Sequence, residues 1–377
     1  MLRIVWNNLR HDRLRFAIAV VGVGFAITLI TIEGAIFLGA IQSSSLLVRT
    51  CHADLWIAAP HTMTVDFGTV IPQRRMYQAL GVKGVKRAGR LLIGFSSLKF
   101  PSGHEEPVIV VGADDDYDWL GIQSSRDRRV LSDRYILFDQ RERYRFGKPN
   151  QPLQVGDRFE LNGYQAEVAG FLTGRSSFVS TPYVFCRYQA ALNFAGKDAD
   201  QTTYVMVQCA PGQDVATVQR RLQQRLAGEA EVLTKADFIS RTWHYWVLGT
   251  GMGMALGLSA ALAFAVGLVI VGQTIFTSVL ARLREYATLK AVGFDNRFVV
   301  SLVVLQSAAV VLAGYPLAIL AAFSVARYAG QGGTAVVMHM TLGLVLSMIP
   351  VALVMCGLAS VGAAAKVLHV APAKVFR

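Results

Sequence analysis

Four long apolar segments constrain this chain more than any other feature. They cover residues 16–41, 252–280, 298–326 and 341–365. A helix needs roughly 20 apolar residues to cross a hydrocarbon core of about 30 Å, and all four segments reach that length. Lipid offers no water to an unpaired peptide group, so each segment is expected to be a helix. Composition agrees: 53% of the 377 residues are hydrophobic and only 16% are charged, against about 25% charged in soluble domains. Disorder and fibrous repeats are excluded. The alternative for the first segment is a cleaved leader. Its apolar run is about twice the usual leader length, and Gln42-Ser43-Ser44-Ser45 behind it shows no clear small-x-small cleavage site. It is read as an uncleaved span.

Lys and Arg beside the spans set the expected orientation. Eleven of them lie in three short segments: residues 1–15, 281–297 and 366–377. These become a cytoplasmic N-terminal segment, a cytoplasmic loop and a cytoplasmic tail. Residues 42–249 and the loop 327–340 then face outward, on the extracytoplasmic side of the membrane. The net charge of +12 is mostly this topology signal plus attraction to anionic membrane lipids; a nucleic-acid partner is not expected.

The expected fold class is therefore an α-helical membrane protein of four transmembrane helices, with a large α/β extracytoplasmic domain between helices 1 and 2. Within that domain, strands are expected at 54–58, 85–99, 107–112, 203–207 and 231–233. Helices are expected at 72–80, with Pro72 near the first turn, at 214–226, and from Lys235 onward. The middle, about 114–197, reads as a β-rich inserted subdomain. Cys186 and Cys209 could pair on an oxidising face, the alternative being buried free thiols. The run Asp114 to Asp118 lacks the Gly and distal Glu of a calcium loop and reads as a solvated turn. Arg141, Arg143 and Arg145, with Tyr144 and Phe146, read as a solvated surface or a site for an anionic partner.

The second span carries Gly249, Gly253, Gly257, Ala261 and Ala265, spaced by four. Such a ridge allows close helix approach, within the chain or between two copies of it. If the helix starting at Ala236 runs on to Arg284, it is a rod of roughly 70 Å; Gly249-Thr250-Gly251 is the place where it could kink instead. Glu33, the one acid in any span, either serves a function or snorkels to the interface. No nucleotide-binding loop, nucleophile elbow, zinc spacing or dinucleotide fingerprint occurs. No catalytic residue, metal or cofactor is assigned to this chain.

Between spans two and three stands Ala281-Arg-Leu-Arg-Glu285-Tyr-Ala-Thr-Leu289-Lys-Ala-Val-Gly293. Leu283, Ala287, Lys290 and Ala291 keep a helical face, and Gly293 can close the helix as a left-handed cap. The loop is an interface-lying connector or a docking helix for a motor. It resembles the cytoplasmic loop of FtsX/MacB-like permeases, matching their pattern at Arg282, Glu285, Leu289, Lys290, Ala291, Val292 and Gly293. The variant Glu-Tyr-Ala-Thr-Leu-Lys-Ala-Val-Gly, and residues 74–82, look like the DevC-type branch. The elbow Val5-Trp6-Asn7-Asn8-Leu9-Arg10 and the Pro372-Ala-Lys-Val-Phe-Arg377 tail are similar to the family's ends, except that Lys374 stands where many relatives have Glu.

The resemblance implies half of a homodimer that serves a tripartite ABC exporter. A separate ATPase subunit, carrying ATP and Mg, would dock on Arg282, Arg284, Glu285, Ala287, Leu289, Lys290 and Gly293. A periplasmic membrane-fusion adaptor would meet the outer domain and lead to an outer-membrane channel. The substrate class it implies is a lipid, glycolipid or other amphiphile. The alternatives are a relay of the same architecture that regulates a periplasmic partner such as a cell-wall hydrolase, and a membrane sensor or enzyme with no motor.

Overall fold

The computed structural model describes residues 13–114, 117–122, 133–147, 151–177, 181–226, 228–281, 283–331 and 338–368. The described chain divides into two compact units, residues 40–252 and residues up to 39 together with those from 253 onward. The elbow at 1–12 and the tail at 369–377 lie outside the described residues.

The first unit is organised by one strand that is buried on both faces. After the end of α1 (Arg13–Ser44) and the short α2 (Leu46–Thr50) come β1 (Leu55–Ala58), β2 (Ile71–Pro72), α3 (Arg74–Leu80), β3 (Val85–Lys99) and β4 (Glu105–Ala113). Next follow β5 (Tyr135–Asp139), β6 (Arg158–Leu161), β7 (Tyr164–Leu172), β8 (Tyr183–Arg187) and α4 (Tyr188–Phe194). The unit ends with β9 (Gln201–Thr202), β10 (Tyr204–Cys209), α5 (Val215–Leu226), β11 (Glu231–Thr234) and α6 (Lys235–His244). Nine strands form one mixed sheet in the order β11-β1-β10-β3-β4-β8-β5-β7-β6, with β2 and β9 paired separately.

Successive side chains of a strand point to opposite faces, and both faces here are covered. Trp56, Leu91, Ile93, Ile109, Val111, Tyr204 and Met206 pack with Leu47, Val48 and Phe238 of α2 and α6. Leu55, Ile57, Val205 and Val207 pack with Met76, Ala79, Val218, Leu222 and Leu226 of α3 and α5. Trp56 sits edge-on to Phe238, centroids 5.4 Å apart, and to Tyr204 at 5.8 Å. The helical spacing of Val218, Leu222 and Leu226 is thus what seats α5. Helix α6 starts at a capping box in which Thr234 and Asp237 bond each other's backbone N–H.

Several expectations change here. The middle segment is β-rich but shares the sheet of the flanking halves. The far end of β3 pairs with β6, Leu98 with Leu161, so β3-β4-β8-β5-β7-β6 closes into a six-stranded ring around Leu92, Val110, Phe138, Phe146 and Val184. Gly112 permits α4 to lie flush on β4, since a Cβ there would come 2.2 Å from the Ala191 Cβ. Pro72 ends strand β2 and does not open the helix, which starts at Arg74.

The acidic run is tied down at its described ends. Asp114 Oδ1 accepts from Arg90 Nη2 at 2.7 Å, and Asp118 Oδ2 accepts from Arg87 at 2.5 Å. The Arg87 bond, then His52, holds the Asp118 carboxyl below its ordinary range; Asp115 and Asp116 lie outside the described residues. In the basic cluster Arg141, Tyr144 and Arg145 are exposed, as a solvated surface requires, while Arg145 Nε donates to Glu106 at 3.0 Å, Arg143 Nε donates to the Leu153 carbonyl at 3.1 Å, and Phe146 is buried. All four cysteines are free. Cys186 lies inside the ring while Cys209 borders the α3–α5 cluster, so they do not pair. Burial pushes the Cys51 thiol up to about 12.

The second unit contains most of α1, then α7 (Gly251–Ala281), α8 (Leu283–Ala291), α9 (Asn296–Gln331) and α10 (Leu342–Leu368). Four of these helices are long and apolar enough to cross a membrane: Phe16–Ser44, Gly251–Ala281, Asn296–Ala329 and Leu342–Val361. The continuous rod is not formed. Helix α6 ends in a π-helical turn, Tyr245–Gly249, and Thr250 is extended (φ −105°, ψ 157°). Thr250 Oγ1 donates to the Trp246 carbonyl at 2.7 Å and accepts the Met252 N–H at 3.3 Å, closing one helix and opening the next.

Two outcomes follow for the sheet unit. Trp56→Ala empties the centre of the larger core and is expected to cost about 3–5 kcal/mol, measured as the loss of thermal midpoint and near-UV dichroism of the full chain. Asp66 is buried under a Tyr183 hydroxyl bond. Burial raises its pKa from 3.8 to about 6, with the Tyr183 bond pulling the other way. The folded state therefore holds this proton more tightly than the unfolded chain. Stability falls as pH rises from about 4 to 6, and the penalty is complete above that window. Asp66→Asn should gain on the order of 2 kcal/mol at pH 7.5, with the gain fading toward pH 4 in thermal melts.

Candidate functional site

The short helix α8 is the element that the sequence singles out for a partner. Two neighbouring residues fasten it. Tyr286 and Ala287 are buried, and Tyr286 joins Val279 of α7 and Leu302 and Val303 of α9 in one apolar cluster. The Tyr286 hydroxyl donates to Gln306 Oε1 of α9 at 2.8 Å. Arg284, Glu285 and Thr288 are exposed. The helix thus presents a charged side outward while an aromatic anchor holds it to the spans.

Its end is built on one backbone requirement. Gly293 has φ +102° with open space around its Cα, so glycine is needed there for conformation and not for room. The Val292 N–H still bonds the Thr288 carbonyl at 3.0 Å. The chain then turns into α9 through Asp295, whose carboxylate accepts the Asn296 N–H at 2.7 Å.

Of the residues expected at this site, Arg284 and Glu285 share the exposed side, Ala287 packs inward and Gly293 forms the cap. Arg282 lies outside the described residues, as do the side chains of Leu283, Leu289, Lys290 and Ala291. Tyr286 and Gln306 were not among the expected residues. The signal available for them was a lone amide inside an otherwise apolar span, 20 residues from an aromatic in the loop.

The small-residue ridge stands elsewhere than within-chain packing requires. Gly257 and Ala261 are exposed, Gly253 is half-buried, and Gly249 is exposed in the π-helical turn ahead of α7. Close approach inside the chain is made instead by Gly24 of α1 and Gly314 of α9, where a Cβ on Gly314 would come 3.0 Å from the Val20 carbonyl. Thr28 Oγ1 donates to the Gly24 carbonyl at 2.8 Å beside that crossing. On α7, Gly267 meets Ala26 of α1. Glu33 is not isolated: Ser259 Oγ of α7 donates to its Oε1 at 2.8 Å. Among the described residues no group of three His, Cys, Asp or Glu side chains could hold a metal.

The family described as MacB-like periplasmic core domain matches residues 16–225, more than half of the chain. The FtsX-like permease C-terminal family matches residues 238–372, which includes α8. The chain belongs to the FtsX/MacB-like permease family. It is thus an ABC-type permease, the transmembrane component of an assembly whose ATPase is a partner, and the family's transporter complexes include that ATPase. No match among curated proteins was found.

Solved structures give weaker likenesses. The periplasmic region of MacB from Actinobacillus actinomycetemcomitans aligns at 10% identity and TM-score 0.39, covering 50% of this chain and 92% of its own. The extracellular domain of the noncanonic ABC-type transporter YknZ from Gram-positive bacteria aligns at 14% and 0.35, covering 48% and 99%. A domain of a putative permease from Porphyromonas gingivalis aligns at 16% and 0.33, covering 48% and 89%.

The cap of α8 gives a direct check on this FtsX/MacB-like permease. Gly293→Val places a branched side chain at positive φ and should cost about 1–3 kcal/mol. Gly293→Asn, a residue that tolerates positive φ, should cost less. Thermal midpoints of the two variants in detergent, compared with the parent chain, read the difference.

Proposed function

We propose that this chain is the permease subunit of a tripartite ABC exporter. A separate ATPase grips α8 from the cytoplasm and moves it, and the sheet unit on the periplasmic side responds. The observation that carries this reading is the build of α8. It is a short helix on the loop between two spans, charged outward at Arg284 and Glu285 and fastened inward by Tyr286 and Ala287. Gly293 closes it at a backbone angle that fixes its end. A motor that binds α8 differently with and without ATP biases two arrangements of the spans, and only such differential binding can move them.

In this reading both termini and α8 are cytoplasmic, and the protein sits in the bacterial inner membrane. The working unit is a homodimer. The ridge of exposed Gly257 and Ala261 with half-buried Gly253 on α7 gives a second copy a surface for close helix approach. ATP and Mg belong to the partner. The sheet unit meets a periplasmic adaptor that leads to an outer-membrane channel, and the cargo is a lipid, glycolipid or other amphiphile, as the DevC-type features of the loop imply. A relay that regulates a cell-wall hydrolase would use the same α8 but would need no adaptor.

The decisive measurement is ATP hydrolysis by the ATPase that co-purifies with the full chain. The chain alone should hydrolyse none. Glu285→Ala should reduce the permease-dependent part of the partner's rate by about five-fold or more while the thermal midpoint of the chain stays unchanged. Equal stimulation by parent and variant would remove α8 as the docking element. Co-purification of an adaptor favours export; capture of a hydrolase without one favours the relay.

A further inference from the structure

Among the described residues of the unit that holds the apolar helices, one buried side-chain polar group, the Gln306 amide nitrogen, shows no hydrogen-bond partner. Gln306 is 9% exposed, in the first third of apolar α9. Its Oε1 takes the Tyr286 hydroxyl, and its Nε2 has no hydrogen-bond partner. Turning the amide over exchanges the two ends and still leaves one unpaired. An unpaired amide away from water is costly, so the site should hold something that accepts from it.

The same side chain lines a cavity of about 30 Å³ shared with Thr274 and Ser278 of α7 and Ser307 of α9, walled by Ala19 and Val310. A water molecule needs about 10–15 Å³ of such space and two to four polar partners. Those partners are at hand. Thr274 Oγ1 donates its proton to the Ile270 carbonyl at 2.7 Å and Ser307 Oγ donates to the Val303 carbonyl at 2.9 Å. Both oxygens therefore keep lone pairs free to accept from a water that itself accepts from Gln306.

We infer that this cavity holds a water molecule and that Tyr286, Gln306 and the water form the joint through which movement of α8 reaches α7 and α9. This rests on the reading of α8 as the motor's docking helix. The joint suits that task for a physical reason. A packed apolar contact has one good position, whereas a hydroxyl and an amide beside a water can exchange partners. Tyr286 bonds Gln306 directly in one arrangement and donates to the water in another. Tyr286 and Gln306 act here as positioning residues; neither touches the ATPase active site.

The test uses the full chain with its co-purifying ATPase in lipid nanodiscs, comparing Gln306→Leu and the double variant Tyr286→Phe/Gln306→Leu with the parent. Gln306→Leu should cut the permease-dependent ATPase rate by about five-fold or more while the complex still assembles. The double variant replaces both polar partners by apolar ones, which is close to neutral for stability. It should regain the parent's thermal midpoint and stay uncoupled. Full coupling in Gln306→Leu overturns the joint, and so does a double variant that regains coupling together with stability, because the pair would then be only packing. A density map of the complex fine enough to show ordered waters should place a peak within hydrogen-bond reach of the Gln306 amide; an empty cavity overturns the water. Glu285→Ala run in parallel separates the two claims: if it uncouples and Gln306→Leu does not, the joint alone fails, and if neither uncouples, the docking reading fails with it.

Discussion

Lipid cannot solvate a peptide group, and that prohibition governs this protein. Inside the bilayer the chain can only be helix, and its polar side chains must find partners within the bundle. The described spans obey this closely. Thr28, Thr31, Thr274, Ser307 and Ser360 return their hydroxyl protons to carbonyls of their own helices. Glu33, the one acid, takes the Ser259 hydroxyl of a neighbouring span. What remains after this local satisfaction is a small set of bonds between elements. Those bonds, and the backbone-close crossing at Gly24 and Gly314, decide how the helices are tied.

The sheet unit solves a different problem with the same economy of elements. Fifteen residues of β3 serve two cores, because alternate side chains belong to opposite faces. Leu91 and Ile93 face the layer of α2 and α6, while Leu92 and Leu98 face the interior of the ring. A long strand shared by an open sheet and a closed ring makes the two parts one mechanical body, since they cannot move apart without breaking β3 pairings. The chain leaves this body toward α7 through a π-helical turn and an extended Thr250, so α6 and α7 are not one continuous helix.

Much of this was legible in the residues, and the limits are physical. The spans show because bilayer thickness imposes a length. Strand β3 reads correctly from Val85 to Lys99, and α5 from its apolar spacing, because both patterns are local. Ring closure depends on β3 meeting β6 and on parallel pairing of β4 with β8, contacts between residues more than sixty apart that no local period records. The acidic run is solvated at Asp118, as read, but its ion pairs were not legible because Arg87 and Arg90 sit on β3, earlier in the chain. In α8 the motif pointed to the outward residues, while the residue that secures the helix, Tyr286, was hidden by the same motif. Its partner Gln306 is unremarkable in composition and meaningful only once folding brings the two within 2.8 Å.

Placing the anchor of α8 beside a polar residue of α9 has a consequence for how such a helix can work. If α8 were held by apolar contact alone, any pull would trade burial against exposure continuously, and the spans would feel a soft spring. A hydrogen bond with a defined donor and acceptor behaves otherwise: it is made or unmade over a fraction of an ångström, and in a medium without bulk water the unmade state is costly unless another partner stands ready. Such a contact separates two arrangements and penalises what lies between. Gly293 closes the other end of α8 at a positive φ that a residue with a Cβ adopts only under strain. Under the proposed docking role, the Tyr286 anchor is where a displacement of α8 meets α9.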